Sequence, residues 1–120
     1  MESDLYGITD DDPLGWELPA VRPSLELARG VAEAVGVPLE EITGPRRSQR
    51  VAAARQLVWY VLRAVTGLSY PELGRLIGAR DHATVMFGCE QVRRRRAEAP
   101  QFARLVERLI VQAGGPPARE

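Results

Sequence analysis

Residues 68–92 read LSYPELGRLIGARDHATVMFGCEQV, and this stretch decides the fold. Ser69 and Glu72 stand in capping-box spacing, and Pro71 falls in a first helical turn, where its missing N–H costs little. That helix is short and ends at Gly78. Asp81 then caps a second helix that runs to about Ala97. Two helices joined by a tight glycine-containing turn form a helix-turn-helix. In the second helix Val85, Cys89 and Val92 stand at i, i+4 and i+7, the spacing that fixes one face to a core. The opposite face then carries Arg80, Ala83, Phe87, Glu90 and Arg94, with His82 and Thr84 on its flanks. Its leading end is small, polar and rich in hydrogen-bonding groups, which suits the edges of bases in a major groove.

The roles can be read one by one. Arg80 can fork onto guanine O6 and N7 or onto a phosphate. Asp81 can accept from a cytosine amine while still capping the helix. His82 can donate to a base or a phosphate, and Ala83 can offer its methyl to a thymine methyl. The free N–H groups of the helix start favour phosphate. Blander readings stand beside these. A capping aspartate after an arginine is common at helix starts, RRRR at 93–96 is what a helix dipole favours at a solvated C-terminal end, and Cys89 suits a core.

Outward from this motif the chain remains helical. Residues 24–36 form a helix that Ser24 can cap and Gly36 can stop, with Leu25, Ala28, Val31, Ala32 and Val35 as its apolar stripe. VPLEEITG is a short turn with Leu39 and Ile42 inward. The longest helix spans about Ser48 to Thr66, with Val51, Arg55, Val58, Leu62 and Val65 on one stripe; its LVWYVL centre is apolar nearly all round, which predicts a helix through the middle of the domain. A closing helix buries Phe102, Leu105, Val106, Leu109 and Ile110. No strand pattern appears. The expectation is an all-α, compact bundle of about five to six helices. An acidic, flexible leader over 1–22 precedes a domain over 23–113, and a short tail covers 114–120.

The 120 residues suit one domain. The formal net charge of zero hides an asymmetry. Residues 1–24 hold six acidic side chains against Arg22, whereas residues 46–96 hold eleven arginines against Glu72, Asp81 and Glu90. There is no lysine. Guanidinium forks suit phosphates and guanine edges, although a GC-rich genome also favours arginine. The clustering points to a polyanion. One cysteine and one histidine make neither a disulfide nor a zinc site, and no nucleophile–base pair is apparent. No apolar run approaches the roughly 20 residues of a membrane span, and the acidic start is no signal peptide. The expectation is a cytoplasmic protein that is not an enzyme, with no cofactor, metal or membrane.

The motif GLSYPELGRLIGARDHATVMFGCEQVR resembles the C-terminal DNA-binding domain of the bacterial replication initiator DnaA, a Trp-repressor-like helical fold. That family typically reads Ser-Leu-Pro-Glu-Ile-Gly-x-x-Phe-Gly-Gly-Arg-Asp-His-Thr-Thr-Val. The likeness continues upstream through RRSQRVAAARQLVWYVLR and VAEAVGVPLEEI, from about Ser24 to Gln112. It implies base readout by Arg80, Asp81, His82, Ala83 and Thr84, and a minor-groove arginine at Arg47, with Arg46 beside it. It implies backbone contacts at Arg55, Gln56, Arg63, Tyr70 and Pro71. Departures fall on Ala83 for the first threonine of the pair, on Phe87 for a histidine one turn later, and on Glu90 where a base is common. No G-x-x-x-x-G-K-[ST] nucleotide loop is present, so no ATPase activity or nucleotide binding is expected. The resemblance implies double-stranded DNA as partner, at DnaA-box-like sites, with replication initiation or transcription modulated. The acidic leader could engage a protein. The alternative is a protein-interaction module that has repurposed the DNA face, which Phe87 and Glu90 favour.

Overall fold

The computed structural model describes residues 18–45 and 47–115. Residues 1–17 and 116–120, on which most of the acidic leader and the short tail fall, and Arg46 lie outside the described residues. Six helices are present among those described: α1 (Leu18–Val35), α2 (Leu39–Thr43), α3 (Gln49–Thr66), α4 (Tyr70–Leu76), α5 (His82–Glu98) and α6 (Pro100–Gln112).

Helix α3 is the axis of the domain and packs against each of the other five. Ser48 caps it, its hydroxyl accepting from the Val51 N–H at 3.3 Å, and Gly67 closes it in the left-handed region. Val51, Ala54, Leu57, Val58, Trp59, Val61 and Leu62 are buried. A residue type that is apolar all round a helix has to be walled in on every side, and α1, α2, α4, α5 and α6 supply the walls. Each fully buried Val or Leu contributes about 1.5–3 kcal/mol of transfer free energy. Trp59 also carries a polar handle, and its indole Nε1–H donates to the Ile77 carbonyl at 3.1 Å. The ring thereby fixes the end of α4.

Helix α5 crosses α3 at Gly88. A Cβ there would stand 2.9 Å from Gln56 Cγ and 2.9 Å from Trp59 Cε3, so the two helices meet backbone to side chain with no room for a methyl.

The first helix starts at Leu18 and not at Ser24. Pro23 lies inside it, and Ser24 is 2% exposed, so Ser24 is a packed residue and not a cap. A proline reads as a boundary because it lacks an N–H, yet its fixed φ is helical and a turn can precede it.

Candidate nucleic-acid interface

The helix-turn-helix is assembled from local chemistry. Ser69 Oγ accepts from the Glu72 N–H at 3.2 Å, and Glu72 Oε1 accepts from the Ser69 N–H at 2.8 Å, closing the capping box of α4. The Ser69 backbone and then its hydroxyl hold the Glu72 carboxyl below its ordinary range. The turn follows with φ +87° at Gly78 and φ +50° at Ala79, a left-handed pair that costs a non-glycine residue about 1–2 kcal/mol. The Arg80 N–H donates to the Gly74 carbonyl at 3.0 Å. A Cβ on Gly74 would lie 2.0 Å from the Arg80 carbonyl oxygen, so α4 and the start of α5 approach at a distance that only glycine permits. Asp81 caps α5, its Oδ1 accepting from the Thr84 N–H at 2.9 Å, and hydrogen bonds from Thr84 hold its carboxyl below the usual range.

Val85, Gly88, Cys89 and Val92 bury one face of α5. At about 100° per residue the opposite face is centred on Ala83, Phe87, Glu90 and Arg94. His82, Ala83 and Thr84 are all exposed on the first turn, and Phe87 is 61% exposed. The leading end of α5 therefore protrudes as the sequence predicts. Arg80 stands at its base, half-buried, with Nη1 donating to the Gly78 carbonyl, so its guanidinium lies back along the turn.

Arg55 departs from the expected role. It is 4% exposed, too buried for a DNA-backbone contact. Its Nε donates to the Ile42 carbonyl at 2.7 Å, and its Nη2 donates to the carbonyls of Glu41 at 3.2 Å and Gly44 at 3.1 Å. On its other side a Cβ at Gly78 would lie 3.1 Å from Arg55 Cδ and Nε. Burial and then the neighbouring Arg80 charge lower its pKa. Arg55 is thus a bracket between the helix-turn-helix turn and the loop after α2. Arg47 lies three residues beyond Gly44 and is exposed. Both elements proposed from sequence to meet DNA are consequently joined through one residue of α3, on one side of that helix. The partner expected beside Arg47, Arg46, lies outside the described residues.

Gln56 is half-buried and lines a cleft of about 390 Å³ with Leu57, Arg94, Arg95 and Phe102, away from the α5 tip. Arg63 is exposed, its guanidinium 4.0 Å from the Tyr70 ring centroid, with Nη1 donating to the Leu68 carbonyl at 2.9 Å. Tyr70 is half-buried by this stacking and Pro71 is exposed at the start of α4. The arginine quartet at 93–96 does more than end a helix. Arg93 pairs with Glu90, and Arg95 stands 4.3 Å over the Phe102 ring. Arg96 donates to the Tyr60 hydroxyl at 3.0 Å and to Glu107 at 3.3 Å, joining α5 to α3 and α6. Sequence reasoning also passed over Met86, which is 46% exposed and flanks Phe87. It follows a core valine directly in sequence.

Among the described residues no group of three metal-ligating side chains occurs, and no helix is long and apolar enough to cross a membrane. Comparison with known proteins gives a consistent answer. The family model described as Bacterial dnaA protein helix-turn-helix matches residues 26–92. Over 89 residues the chain is 33% identical to the chromosomal replication initiator protein DnaA of Thermodesulfovibrio yellowstonii, covering 74% of this chain and 20% of that protein. Over 76 residues it is 45% identical to the protein of the same name from Acinetobacter baumannii (strain AYE), covering 63% of this chain and 16% of that one. A crystal structure of a DNA replication initiation factor superposes with a TM-score of 0.73 at 28% identity, covering 81% of this chain and 30% of that chain. The chain therefore matches a fifth or less of the length of these two initiators. With its capping box, glycine-tight turn and protruding α5 tip, the chain belongs to the bacterial DnaA helix-turn-helix family.

Proposed function

We propose that this domain binds double-stranded DNA at DnaA-box-like sites, with the leading end of α5 in the major groove and Arg47 in the adjacent minor groove. Occupying such boxes would modulate replication initiation or transcription on the nucleoid, in the cytoplasm, without the domain itself turning over a nucleotide. The observation that carries this reading is the exposed first turn of α5, His82, Ala83 and Thr84, anchored behind by the fully buried Val85. The Arg55 bracket supports it by tying that tip to the loop of Arg47. Asp81 Oδ1 caps the helix and leaves the second carboxylate oxygen for a base amine.

Fluorescence anisotropy on box-containing and scrambled duplexes at stated salt tests this. Box binding at least tenfold tighter is expected, and Arg47→Ala, on an exposed side chain, should weaken it by roughly five- to a hundredfold at unchanged fold. ATP should leave the affinity unchanged. Equal affinity for both duplexes would overturn specific readout. A second reading, a protein-interaction surface, is favoured by the exposure of Met86 and Phe87. Stable partner capture without DNA, together with equal affinity for both duplexes, would establish it in place of the first.

A further inference from the structure

We infer that Phe87, with Ala83 one turn before it, reads the C5-methyl group of a pyrimidine in the major groove, so that the preferred duplex carries a methyl at a fixed place along α5. This rests on the reading that α5 enters that groove. Phe87 is 61% exposed on the face of α5 opposite the buried Val85, Cys89 and Val92, and Met86 beside it is 46% exposed. The exposed phenyl, with Met86 beside it, does not pack in the core. It carries no donor or acceptor, so it cannot read the hydrogen-bonding pattern of a base pair. The apolar feature of a base edge in the major groove is the C5-methyl. Ala83 adds a methyl about 6 Å back along the axis on the same face, a spacing between one and two base-pair steps. Polar groups bracket this island. Asp81, His82 and Thr84 are exposed at its leading end, and Glu90, paired with Arg93, stands after it. Hydrogen-bond readout thereby falls to the tip of α5 and methyl readout to the stripe from Ala83 to Phe87. Thymine and 5-methylcytosine share this chemistry.

The test begins with duplexes selected from a random pool by the wild-type chain. In the best duplex each thymine is replaced in turn by deoxyuridine, which removes the methyl alone. At one or two positions binding should weaken about fourfold per methyl lost. Phe87→Ala should bind the thymine and uracil duplexes equally at one of those positions, because its own interaction is what the methyl feels. Because Phe87 is exposed, the variant should keep the wild-type unfolding midpoint. In a second arm, cytosine and 5-methylcytosine are compared at the sensitive position. A gain on methylation assigns readout to the methyl whichever base carries it, and no gain assigns it to thymine. Enrichment of a sequence without any methyl dependence, or full methyl discrimination by Phe87→Ala, would overturn the inference alone. Failure to enrich any sequence would overturn the DNA reading beneath it as well.

Discussion

Replacing Arg55 by methionine separates a structural guanidinium from a DNA-contacting one. The substitution keeps an apolar stem and deletes the donors to the carbonyls of Glu41, Ile42 and Gly44. A hydrogen bond to a charged donor contributes about 1.5–3 kcal/mol net, but the full value applies only at the buried Ile42 oxygen. The other two oxygens are partly exposed and regain water. Against this stands relief of the guanidinium's own desolvation, the main reason its pKa is lowered. The balance is a loss of about 2–3 kcal/mol, or roughly 8–12 °C in midpoint for a domain of this size. Thermal unfolding by circular dichroism, with Trp59 fluorescence as a second probe, reads it. The same variant should bind duplex DNA with an unchanged salt slope, since no phosphate contact is removed, while its affinity drops as the Arg47 loop relaxes. An unchanged midpoint with a salt slope shallower by about 0.9 would show the guanidinium on a phosphate and refute the bracket.

Gly88→Ala should cost about 1–3 kcal/mol in urea unfolding, because its Cβ would meet a Trp59 ring fixed by the Ile77 carbonyl; unaltered stability would mean the α3–α5 crossing yields freely. Ala79→Gly should raise stability by up to about 1 kcal/mol by removing a Cβ from a residue at φ +50°, and a loss would show that Ala79 makes a needed contact. Burial pushes the Cys89 thiol up to about 11, so alkylation of the folded chain at pH ~8 should run roughly a hundredfold slower than in urea, and equal rates would contradict its burial. Asp81 and Glu72 have depressed carboxyls in the folded state. Their contribution is complete above the ordinary carboxylate range and is lost as pH falls through their folded values. Unfolding midpoints should therefore drop below about pH 4, and Asp81→Asn with Glu72→Gln should flatten that drop; an equally steep drop in the double variant would place the acid sensitivity elsewhere.

The helix-turn-helix was legible because its determinants are local. The Ser69–Glu72 box, the Asp81 cap and the stop at Gly78 act within four residues of themselves, so spacing alone announces them. The start of α1 was misread because a serine before an apolar stripe has the form of a cap, whereas the burial of Ser24 depends on packing. Arg96 likewise read as one of four solvated charges, and its partners Tyr60 and Glu107 are 36 and 11 residues away. Position 55 gave a mixed signal. It falls on the apolar stripe of α3, which argues for burial, while its place in the family pattern suggested a backbone contact. Nothing in the local sequence says that the carbonyls of residues 41–44 converge on that spot.

That convergence has a physical reason. Helix α2 has five residues, so nearly all its carbonyls belong to a C-terminal end without intrahelical partners. The Thr43 hydroxyl answers the Leu39 carbonyl at 3.1 Å and the Gly44 N–H answers the Glu41 carbonyl at 3.3 Å, so Arg55 serves the carbonyls of Ile42 and Gly44 and shares that of Glu41. A cation is favoured at that end of a helix, and a planar guanidinium can face several oxygens at once, where an ammonium is a point charge on a flexible stem. Arg55 thus caps α2 from α3, and in doing so fixes the loop that carries Arg47 against the turn that carries Arg80. Two arginines eight positions apart begin with the same chemistry. Burial commits Arg55 to holding the frame, and Arg47 stays exposed, as its proposed contact with DNA requires.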